Sequence, residues 1–536
     1  MSTPPASGAS TLERAGWPLV LACATLLSVL WLLSIDRSLT GDEALTIALA
    51  RAPFGAMIEQ VGQDSHVPGY YTLMWLWVRL FGHRLATLRL ISLLPALASV
   101  ILAGRRFSWR LMLLMCSSPY LLHLSVELRM YGLLALCGLL LVLLLREVEA
   151  SRTRGPLLLL TALCALSVWI HHFAWPGVAA SAIILLRRRR FRDCAILLSA
   201  TLVLYLPWVP MIARQLGRFA PGSDAASSDL VGMAGPLQML LGIPFSIAGT
   251  LLRFSAGTSA FSFDLFSIRE LGPWAVPGAV SAVILLAGAA WGLKRAGAPV
   301  KALLILMITV ALLRPSARHF SLFYPAFALS ASIGLPLQGR LRAPVAGCIL
   351  ALSLALCLKF ASGTTLPQRC SHDRDFAEAA LVPGGEAEAR GVPIVAYLDN
   401  YSTLALLLHL EDLGYGGVEV LHPHAGIFLQ DRFIYLTPGE GTAFLMHDTD
   451  SLVGSLASET GGAFVLLAND PGVVGGRPFG DRNRILGRGS DTMSDEDLVE
   501  VLEAAGTLSG LPLPSSEGPF SAFLFESSGT SDVPDP

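Results

Sequence analysis

Two adjacent carboxylates, Asp42 and Glu43, follow directly after the first long apolar run of the chain. One such carboxylate can take a proton from a hydroxyl group while its neighbour binds a cation or orients the substrate. The same residues also suit the start of a helix, because Thr40 or Asp42 could cap the segment ALTIALA. The local sequence leaves both interpretations open, and they are compatible.

A second polar group lies in DSHVPGYY, residues 64–71. Asp64 and His66 would face the same side of an extended segment, and these residue types are ligands for a divalent metal ion. A Pro-Gly turn beside polar residues is the alternative, and the local sequence by itself favours it. A divalent metal ion is the one cofactor that the sequence brings into consideration.

Further polar groups interrupt later apolar runs. Arg129 carries the planar guanidinium that suits a phosphate, although an ion pair with Glu127 would also explain it. His171 and His172 could bind a metal or transfer a proton, but a histidine on an apolar helix is more often a packed, hydrogen-bonded side chain. Arg318 lies in a short loop predicted to be on the outer side, where positive residues are uncommon. Binding of an anionic lipid phosphate would explain this arginine, and so would a different placement of the loop relative to the membrane.

The composition is that of a membrane protein. Hydrophobic residues make up 53% and charged residues 15%, with a mean hydropathy of +0.59, whereas soluble chains carry about 25% charged residues. A net charge of −2 argues against nucleic acid as a partner, because phosphate contacts need a basic surface. The eight cysteines fall mostly within apolar runs and form no CxxC motif, which argues against a disulfide framework or a zinc ribbon.

Basic clusters divide the apolar part of the chain. If each cluster is cytoplasmic, and each crossing needs roughly 20 apolar residues, the chain is a polytopic α-helical membrane protein with about 11 transmembrane helices. The spans are predicted near 17–35, 84–104, 111–126, 130–145, 156–172, 173–186, 194–212, 274–293, 301–314, 320–337 and 343–360. Every candidate residue above then lies at the outer end of a span or in an outer loop, where ionisable side chains indicate function.

The predicted domains follow from these spans. A cytoplasmic N-terminus, 1–16, precedes a transmembrane domain, 17–360, whose first external loop is 36–83. Within that loop residues 70–81 suit a helix at the membrane interface, since they are rich in Trp and Tyr. Residues 235–252 are expected to lie on or dip into the outer leaflet.

Beyond residue 360 the composition changes to acidic residues, Gly and Pro. Residues 361–515 are predicted to form a small extracytoplasmic α/β domain. Between residues 361 and 536 the strand-like runs are VPIVAYL, AFVLLAND and SAFLFES, and a helix is predicted at SDEDLVEVLEAAG. The end of the chain, 516–536, is expected to be a flexible tail. Acceptor binding is the role suggested for this domain by its position.

An ordered series of motifs resembles the GT-C-type glycosyltransferases of glycosyltransferase family 39, the group of the protein O-mannosyltransferases and the lipid A aminoarabinose transferase. The motifs are LTGDEA (39–44), DSHVPGYYTLMWLWVRLFG (64–82), ATLRLIS (86–92), ELRMYGLLAL (127–136), HHFAWP (171–176) and ARHFSLFYPAFAL (317–329). Together they run from about residue 35 to 340. HDRDFAEAA (372–380) also resembles the start of the outer domain in many bacterial members. One departure is Gly69, which stands where the family often has a second proline.

The resemblance implies a GT-C-like fold and an inverting transfer of a monosaccharide from a polyprenyl-phosphate carrier. The acceptor would be a lipid, a polysaccharide or a protein of the cell envelope, on the outer face of a bacterial-type inner membrane. Asp42 would be the catalytic base and Glu43 its partner. The residues expected to contact substrate are Asp64, His66, Tyr70, Arg129, Tyr131, His171, His172 and Arg318, with Asp64 and His66 also the candidate metal ligands.

Two other classes of protein remain as alternatives. A transporter or flippase of lipid-linked sugar would place ionisable residues near the bilayer midplane and often shows inverted repeats. Here those residues collect at the outer boundary, which favours an enzyme. A sensor that binds ligand in the outer domain would need a cytoplasmic output domain, and the chain shows none.

Overall fold

The structure of the protein is a computed structural model. It describes residues 15–35, 37, 39, 41–63, 66–151, 153–218, 247, 250–255, 275–311, 317–335, 342–361, 374–397, 400–418, 420–421, 463–469, 506–511 and 520–527. Within these residues the chain is mainly helical, with one sheet formed by its C-terminal part.

The helices that precede the C-terminal part fall in the order of the predicted spans. They are α1 (Trp17–Leu32), α2 (Gly41–Arg51), α3 (Phe54–Gln63), α4 (Pro68–Phe81), α5 (Leu85–Leu102), α6 (Trp109–Cys116), α7 (Pro119–Val126), α8 (Tyr131–Ala150), α9 (Arg154–Ile170), α10 (Trp175–Arg187), α11 (Phe191–Tyr205), α12 (Val209–Arg218), α13 (Ala275–Arg295), α14 (Ala298–Ala311), α15 (Tyr324–Gly334) and α16 (Arg342–Ala361). Short 3-10 turns at His172–Ala174, Leu206–Trp208 and Ala317–Phe323 and a π-helical turn at Ala103–Phe107 interrupt or extend them.

Many of these helices are apolar enough to lie in a membrane. Within the described residues, four are also long enough to cross one: Leu85–Phe107, Tyr131–Ala150, Phe191–Gln215 and Val276–Arg295. Shorter apolar helices include α1, α9, α10 and α16. Large apolar side chains point outward from them, for example Leu159 and Leu166 on α9 and Val203 on α11, each about 60% or more exposed. Because water would disfavour such surfaces, the chain is a multi-pass membrane protein.

One predicted span, 111–126, differs from the expectation of a single helix. It consists of α6 and α7, separated at Ser117 and Ser118. Pro119 has no N–H group and cannot continue the hydrogen-bond ladder of α6. The Ser118 hydroxyl instead accepts the N–H of Leu121 and caps α7. The break lets α7 end at Val126, next to the ELRMY segment that carries Arg129.

The first external loop of the prediction is largely helical. Helices α2, α3 and α4 occupy it, and α4 covers the predicted interface helix, 70–81. Leu76, Leu80 and Phe81 stand exposed on α4, and Trp75 donates its indole N–H to the carbonyl of Ala52, 3.1 Å away, at the end of α2. Such an amphipathic helix is typical of a membrane interface.

Glycines let α13 and α15 approach until their backbones touch. A Cβ atom on Gly292 of α13 would overlap the carbonyl oxygen of Ser330, and one on Gly334 of α15 would overlap that of Gly288. The Ser330 hydroxyl donates to the carbonyl of Ala289 at 2.7 Å across the same contact. Close packing of this kind is a main source of helix association in membranes.

We expect Gly292→Ala to lower the free energy of unfolding by about 1–3 kcal/mol, because an added methyl forces two packed backbones apart. Thermal unfolding of the detergent-solubilised protein measures this. Gly347→Ala on α16 is the matched control, since an added Cβ there meets no atom within 4 Å. Equal midpoints for the two variants would contradict the packing described.

The C-terminal part forms a mixed five-stranded sheet within the described residues. Its strands are β1 (Ile394–Tyr397), β2 (Val420–Leu421), β3 (Ala463–Asn469), β4 (Gly506–Gly510) and β5 (Phe520–Ser527), in the order β2-β1-β3-β5-β4. β1 is parallel to β2 and β3, whereas β5 is antiparallel to β3 and β4. Two helices accompany the sheet: α17 (Arg374–Arg390) packs on β1 and β3, and α18 (Asn400–Asp412) packs on α17 and on α2.

The three predicted strands are confirmed as β1, β3 and β5. The prediction of a flexible tail over 516–536 was wrong at residues 520–527, because β5 is an interior strand paired on both sides. Its Phe525 is 1% exposed and stacks on Phe464 of β3 with ring centres 4.7 Å apart. Burial of that face outweighs the polar composition around it. Residues 494–505 of the predicted helix SDEDLVEVLEAAG and most of 235–252 lie outside the described residues, and Gly506 begins β4.

Candidate active site

The acidic pair lies in the first turn of α2. The helix begins at Gly41, so Asp42 stands inside its first turn rather than capping it, and Thr40 lies outside the described residues. The Thr46 hydroxyl donates to the Asp42 carbonyl at 2.9 Å. Carboxylates at this end of a helix are stabilised by the partial positive charge of its unpaired N–H groups. Both carboxylates therefore lie at the positive end of α2.

The two carboxylates have different surroundings. Glu43 is 2% exposed, and its Oε1 accepts the backbone N–H of Leu128 at 2.8 Å. The side chain of Asp42 is 28% exposed. Glu43 thus holds α2 against the segment between α7 and α8, while the Asp42 side chain stays partly exposed. Neighbouring carboxylates in unlike environments commonly have unlike roles.

Arg129 joins three parts of the site. Its side chain is 2% exposed, and its Nη2 lies 4.0 Å from Asp42 Oδ2. Its Nη1 donates to the Asp42 carbonyl at 3.2 Å, to Thr46 Oγ1 at 3.1 Å and to Tyr71 Oη at 3.2 Å. Burial alone lowers the pKa of Arg129, but the pKa lies above its usual value because Tyr71 and Asp42 favour the charged guanidinium. A fixed positive charge therefore stands behind Asp42.

His66 completes the ring of contacts around Arg129. Its Nε2 lies 2.9 Å from Arg129 Nη2, and an arginine can only donate. The His66 imidazole therefore accepts through Nε2 and carries its proton on Nδ1. Gln215 of α12 donates to the His66 carbonyl at 2.9 Å and to the Val61 carbonyl at 3.3 Å, which fixes the segment that leads into α4.

The contacts of His66 do not fit a metal site. The lone pair of Nε2 faces a guanidinium, whose positive charge would repel a cation placed there. Asp64, the other predicted ligand, lies outside the described residues. Within the described part of the chain, no group of three or more His, Cys, Asp or Glu side chains could hold a metal ion.

Aromatic rings form one wall beside this polar cluster. The His171 ring lies 6.1 Å from that of His66 and 5.8 Å from that of Tyr131, and it stacks on Phe173 at 5.4 Å, measured between ring centres. His171 Nδ1 accepts the N–H of Phe173 at 3.0 Å, so its proton is on Nε2. Sequence analysis placed His171 and Tyr131 near the acidic pair, and the structure brings both next to His66.

Other predicted residues lie one layer away. His172 turns toward α11, where its Nδ1 lies 2.9 Å from the hydroxyl of Tyr205. Tyr70 is 2% exposed, and burial raises the pKa of its hydroxyl. The side chain of Arg318 is outside the described part. Its segment, Ala317–Phe323, packs against α8 and the turn His172–Ala174.

Three residues of the cluster, Thr46, Tyr71 and Gln215, were not predicted from the sequence. Thr46 follows Asp42 by one helical turn, so its position on the same face of α2 could have been found from the spacing. Tyr71 lies inside the DSHVPGYY motif beside Tyr70, and only Tyr70 was predicted to contact substrate. Gln215 is 149 residues from His66 in the chain, and no local pattern points to that contact.

We expect Glu43→Ala to lower the free energy of unfolding by about 1–3 kcal/mol, because the buried Leu128 N–H then loses its acceptor. Glu43→Gln keeps an oxygen at that position, so its loss should be smaller. Thermal unfolding in detergent compares the two variants. Equal losses would show that the charge of Glu43, rather than the hydrogen bond, stabilises the fold.

The fold and the site together define a multi-pass helical membrane protein with a buried arginine beside two unlike carboxylates. Its polar cluster is built from the first turn of α2, the segment before α4 and the segment between α7 and α8.

No protein-family model matches the chain, and no curated protein sequence matches it. Among solved structures, it is similar to ArnT from Cupriavidus metallidurans bound to undecaprenyl phosphate, with 12% identity and a TM-score of 0.44 over 95% of this chain and 98% of that one. The apo state of the same ArnT gives a TM-score of 0.42 at 12% identity, with the same coverage of both chains. The Archaeoglobus fulgidus oligosaccharyltransferase in complex with Zn and sulfate gives 0.45 at 12% identity, over 94% of this chain and 72% of that one.

Proposed function

We propose that the protein is an inverting glycosyltransferase that moves a monosaccharide from a polyprenyl-phosphate carrier to an acceptor of the cell envelope. The acceptor is a lipid, a polysaccharide or a protein. The ordered motifs from LTGDEA (39–44) to ARHFSLFYPAFAL (317–329) support a polyprenyl-phosphate sugar as the donor. The geometry around Asp42 supports the chemistry.

The contrast between Asp42 and Glu43 carries the proposal. Glu43 is buried and bonded to a backbone N–H, so it serves the structure of the site. Asp42 is partly exposed, in a helix N-terminus and 4.0 Å from the buried Arg129 guanidinium. Both neighbours favour its ionised form, and an ionised, accessible carboxylate is what a general base requires.

In the proposed reaction the acceptor hydroxyl oxygen attacks the anomeric carbon of the donor sugar. The bond from that carbon to the phosphate oxygen breaks, and polyprenyl phosphate leaves with the bonding electron pair. Asp42 takes the hydroxyl proton. Attack from the side opposite the phosphate inverts the configuration of the anomeric carbon.

Arg129 acts on this reaction through Asp42. The described hydrogen bonds of its guanidinium go to protein atoms, and the side chain is 2% exposed. It therefore holds the base in place and keeps a positive charge close to the reacting groups. Contact of Arg129, Tyr131, His171 and Arg318 with the substrate stays a proposal. The reaction as proposed has no step that passes through a metal ion.

The site is proposed to face the outside of the inner membrane. The basic clusters between the spans support this orientation, because positive loops remain in the cytoplasm. A donor carried on a polyprenyl chain suits that location, since nucleotide sugars are cytoplasmic. The C-terminal sheet would then lie on the same outer side as α2.

Purified protein in nanodiscs, supplied with polyprenyl-phosphate sugars and candidate acceptors, tests the proposal. We expect a new glycoside and an equal amount of polyprenyl phosphate. Reconstitution in sealed liposomes separates this from transport of lipid-linked sugar. Movement of intact donor between leaflets without a glycoside would support the flippase and overturn the transferase.

A further inference from the structure

The connector between α1 and α2 brings the acidic pair to its place, and its backbone is held from two sides. Arg89 of α5, which is fully buried, donates to the carbonyls of Ile35 and Arg37. Arg37 in turn donates to the carbonyl of Phe360 near the end of α16 and lies over its ring, 4.0 Å from the centre. The ATLRLIS motif thus contributes a residue, Arg89, that fixes the chain just before Asp42.

A third contact comes from the C-terminal part of the chain. The backbone N–H of Leu39 donates to Nε2 of His409 on α18 at 3.0 Å, across 370 residues. Both residues are buried, at 2% exposure for Leu39 and 4% for His409. The bond lies two residues before α2 begins and three before Asp42. A shift of Leu39 would therefore move the start of the helix that carries the acidic pair.

Helix α18 also contacts the far end of α2. The two oxygens of Glu411 bind Arg51 Nη1 and Nη2 at 2.6 and 3.1 Å, and His83 Nε2 lies 3.4 Å from Glu411 Oε1. These side chains are exposed, so the ion pairs add little stability by themselves. The two hydrogen bonds between Arg51 and Glu411 set the lengthwise position of α18 on α2, whereas His83 lies at the rim of this contact. His409 contacts Leu39, just before the start of α2, and Glu411 contacts Arg51, the last residue of α2. Helix α18 therefore holds α2 near both of its ends.

We propose that His409 is a positioning residue for the acidic pair, and that α18 of the C-terminal part completes the active site by holding the entry of α2. This rests on the proposed transferase function. The contact with Leu39 is the observation that carries it. The C-terminal part then has a role in catalysis distinct from the acceptor binding suggested by its position.

The contact requires a neutral imidazole. Leu39 donates, so Nε2 of His409 must carry a lone pair, and protonation would place two N–H groups face to face. Burial, helped by the positive charge of Arg89, lowers the pKa of His409 to about 3. Among the described residues, the other charged groups placed at this junction are Arg37, Arg51, His83 and Glu411. His409 therefore stays an acceptor throughout the ordinary pH range.

Three variants test the proposal. His409→Leu removes the acceptor, and His409→Gln supplies an amide oxygen that can accept the same N–H. His83→Leu is the matched control, a histidine at the rim of the same junction with 57% of its side chain exposed. We expect His409→Leu to lower kcat about 10²-fold with little change in KM, because a base misplaced by about 1 Å loses that much. His409→Gln should recover most of the rate, and His83→Leu should match the wild type.

Hydrogen exchange gives a readout that does not depend on activity. In nanodiscs, a peptide spanning residues 37–45 should exchange faster in His409→Leu than in wild type, and at the wild-type rate in His409→Gln and His83→Leu. Unchanged exchange or unchanged kcat in His409→Leu would overturn the positioning role, as would failure of His409→Gln to restore either. Wild-type protein that transfers no sugar would refute the proposed function, while the exchange result would still decide whether His409 holds the connector.

Discussion

Asp42→Asn should lower the rate of sugar transfer by about 10²–10⁴-fold, the range that a general base contributes. Asparagine has the size of aspartate but cannot take the proton of the acceptor hydroxyl. The Asp42 side chain is 28% exposed, so the change should leave folding and membrane insertion intact. Single-turnover measurement of glycoside formation from a polyprenyl-phosphate sugar gives the rate.

Glu59→Gln is the matched control for this variant. Glu59 is an exposed carboxylate on α3, in the same outer part of the chain as Asp42. Its substitution should leave transfer unchanged. Wild-type turnover in Asp42→Asn, with correct folding, would remove Asp42 from the mechanism. An equal loss in both variants would show that the outer carboxylates act through their collective charge.

Arg129→Met should both destabilise the protein and abolish transfer. The guanidinium binds four groups on three segments, and methionine leaves the acceptors and the charge of Asp42 without it. Removing one partner of a buried ionic cluster typically costs about 3–5 kcal/mol. Because Asp42 is partly exposed, we expect the loss at the lower end, about 3 kcal/mol, in thermal unfolding.

Arg129→Lys separates the charge from the geometry. Lysine keeps the positive charge but cannot reach Asp42, Tyr71 and His66 with one planar fork. We expect it to retain more stability than Arg129→Met, with transfer still reduced about 10²-fold through misplacement of the base. A lysine variant with wild-type transfer would mean that only the charge matters, and the positioning role of the hydrogen bonds would be wrong.

The helices could be predicted from the sequence because their signal is local. A run of apolar residues with few charges marks a membrane helix wherever it occurs, as in α5, α8 and α13. The break at Ser117-Ser118-Pro119 is also a local feature. The apolar residues on both sides of it nevertheless predicted one continuous span, 111–126. The run SAFLFES predicted the strand β5, but the polar composition of 516–536 also predicted a flexible tail there, and pairing of β5 with β3 and β4 decides against the tail.

The candidate site was predictable in part. Asp42, Glu43, His66 and Arg129 stood out because polar residues are rare in apolar surroundings, and the structure brings them together. Their individual geometry was not predictable. Which carboxylate is buried depends on the Leu128 N–H, a contact 85 residues away along the chain.

The role of His409 had no sequence signal of its own. It lies in the polar C-terminal part, on an ordinary helix, and only the packing of α18 on α2 brings it to Leu39. Long-range contacts of this kind depend on how helices pack, which no local pattern encodes.

The central claim is that Asp42 faces the outside of the membrane, and a pair of cysteine variants tests it most directly. Gly55→Cys lies on α3, next to the acidic helix, and Gly155→Cys lies at the predicted cytoplasmic start of α9. Both positions are exposed, and an added Cβ meets no atom within 4 Å at either. The background lacks Cys348, which is exposed, and Cys370; the other six cysteines are buried.

The measurement is the labelling of sealed spheroplasts with a membrane-impermeant maleimide. The orientation proposed predicts that Gly55→Cys reacts in intact spheroplasts and that Gly155→Cys reacts only after lysis. Labelling of Gly55→Cys only after lysis, with Gly155→Cys reactive from outside, would place the acidic pair in the cytoplasm and contradict the account.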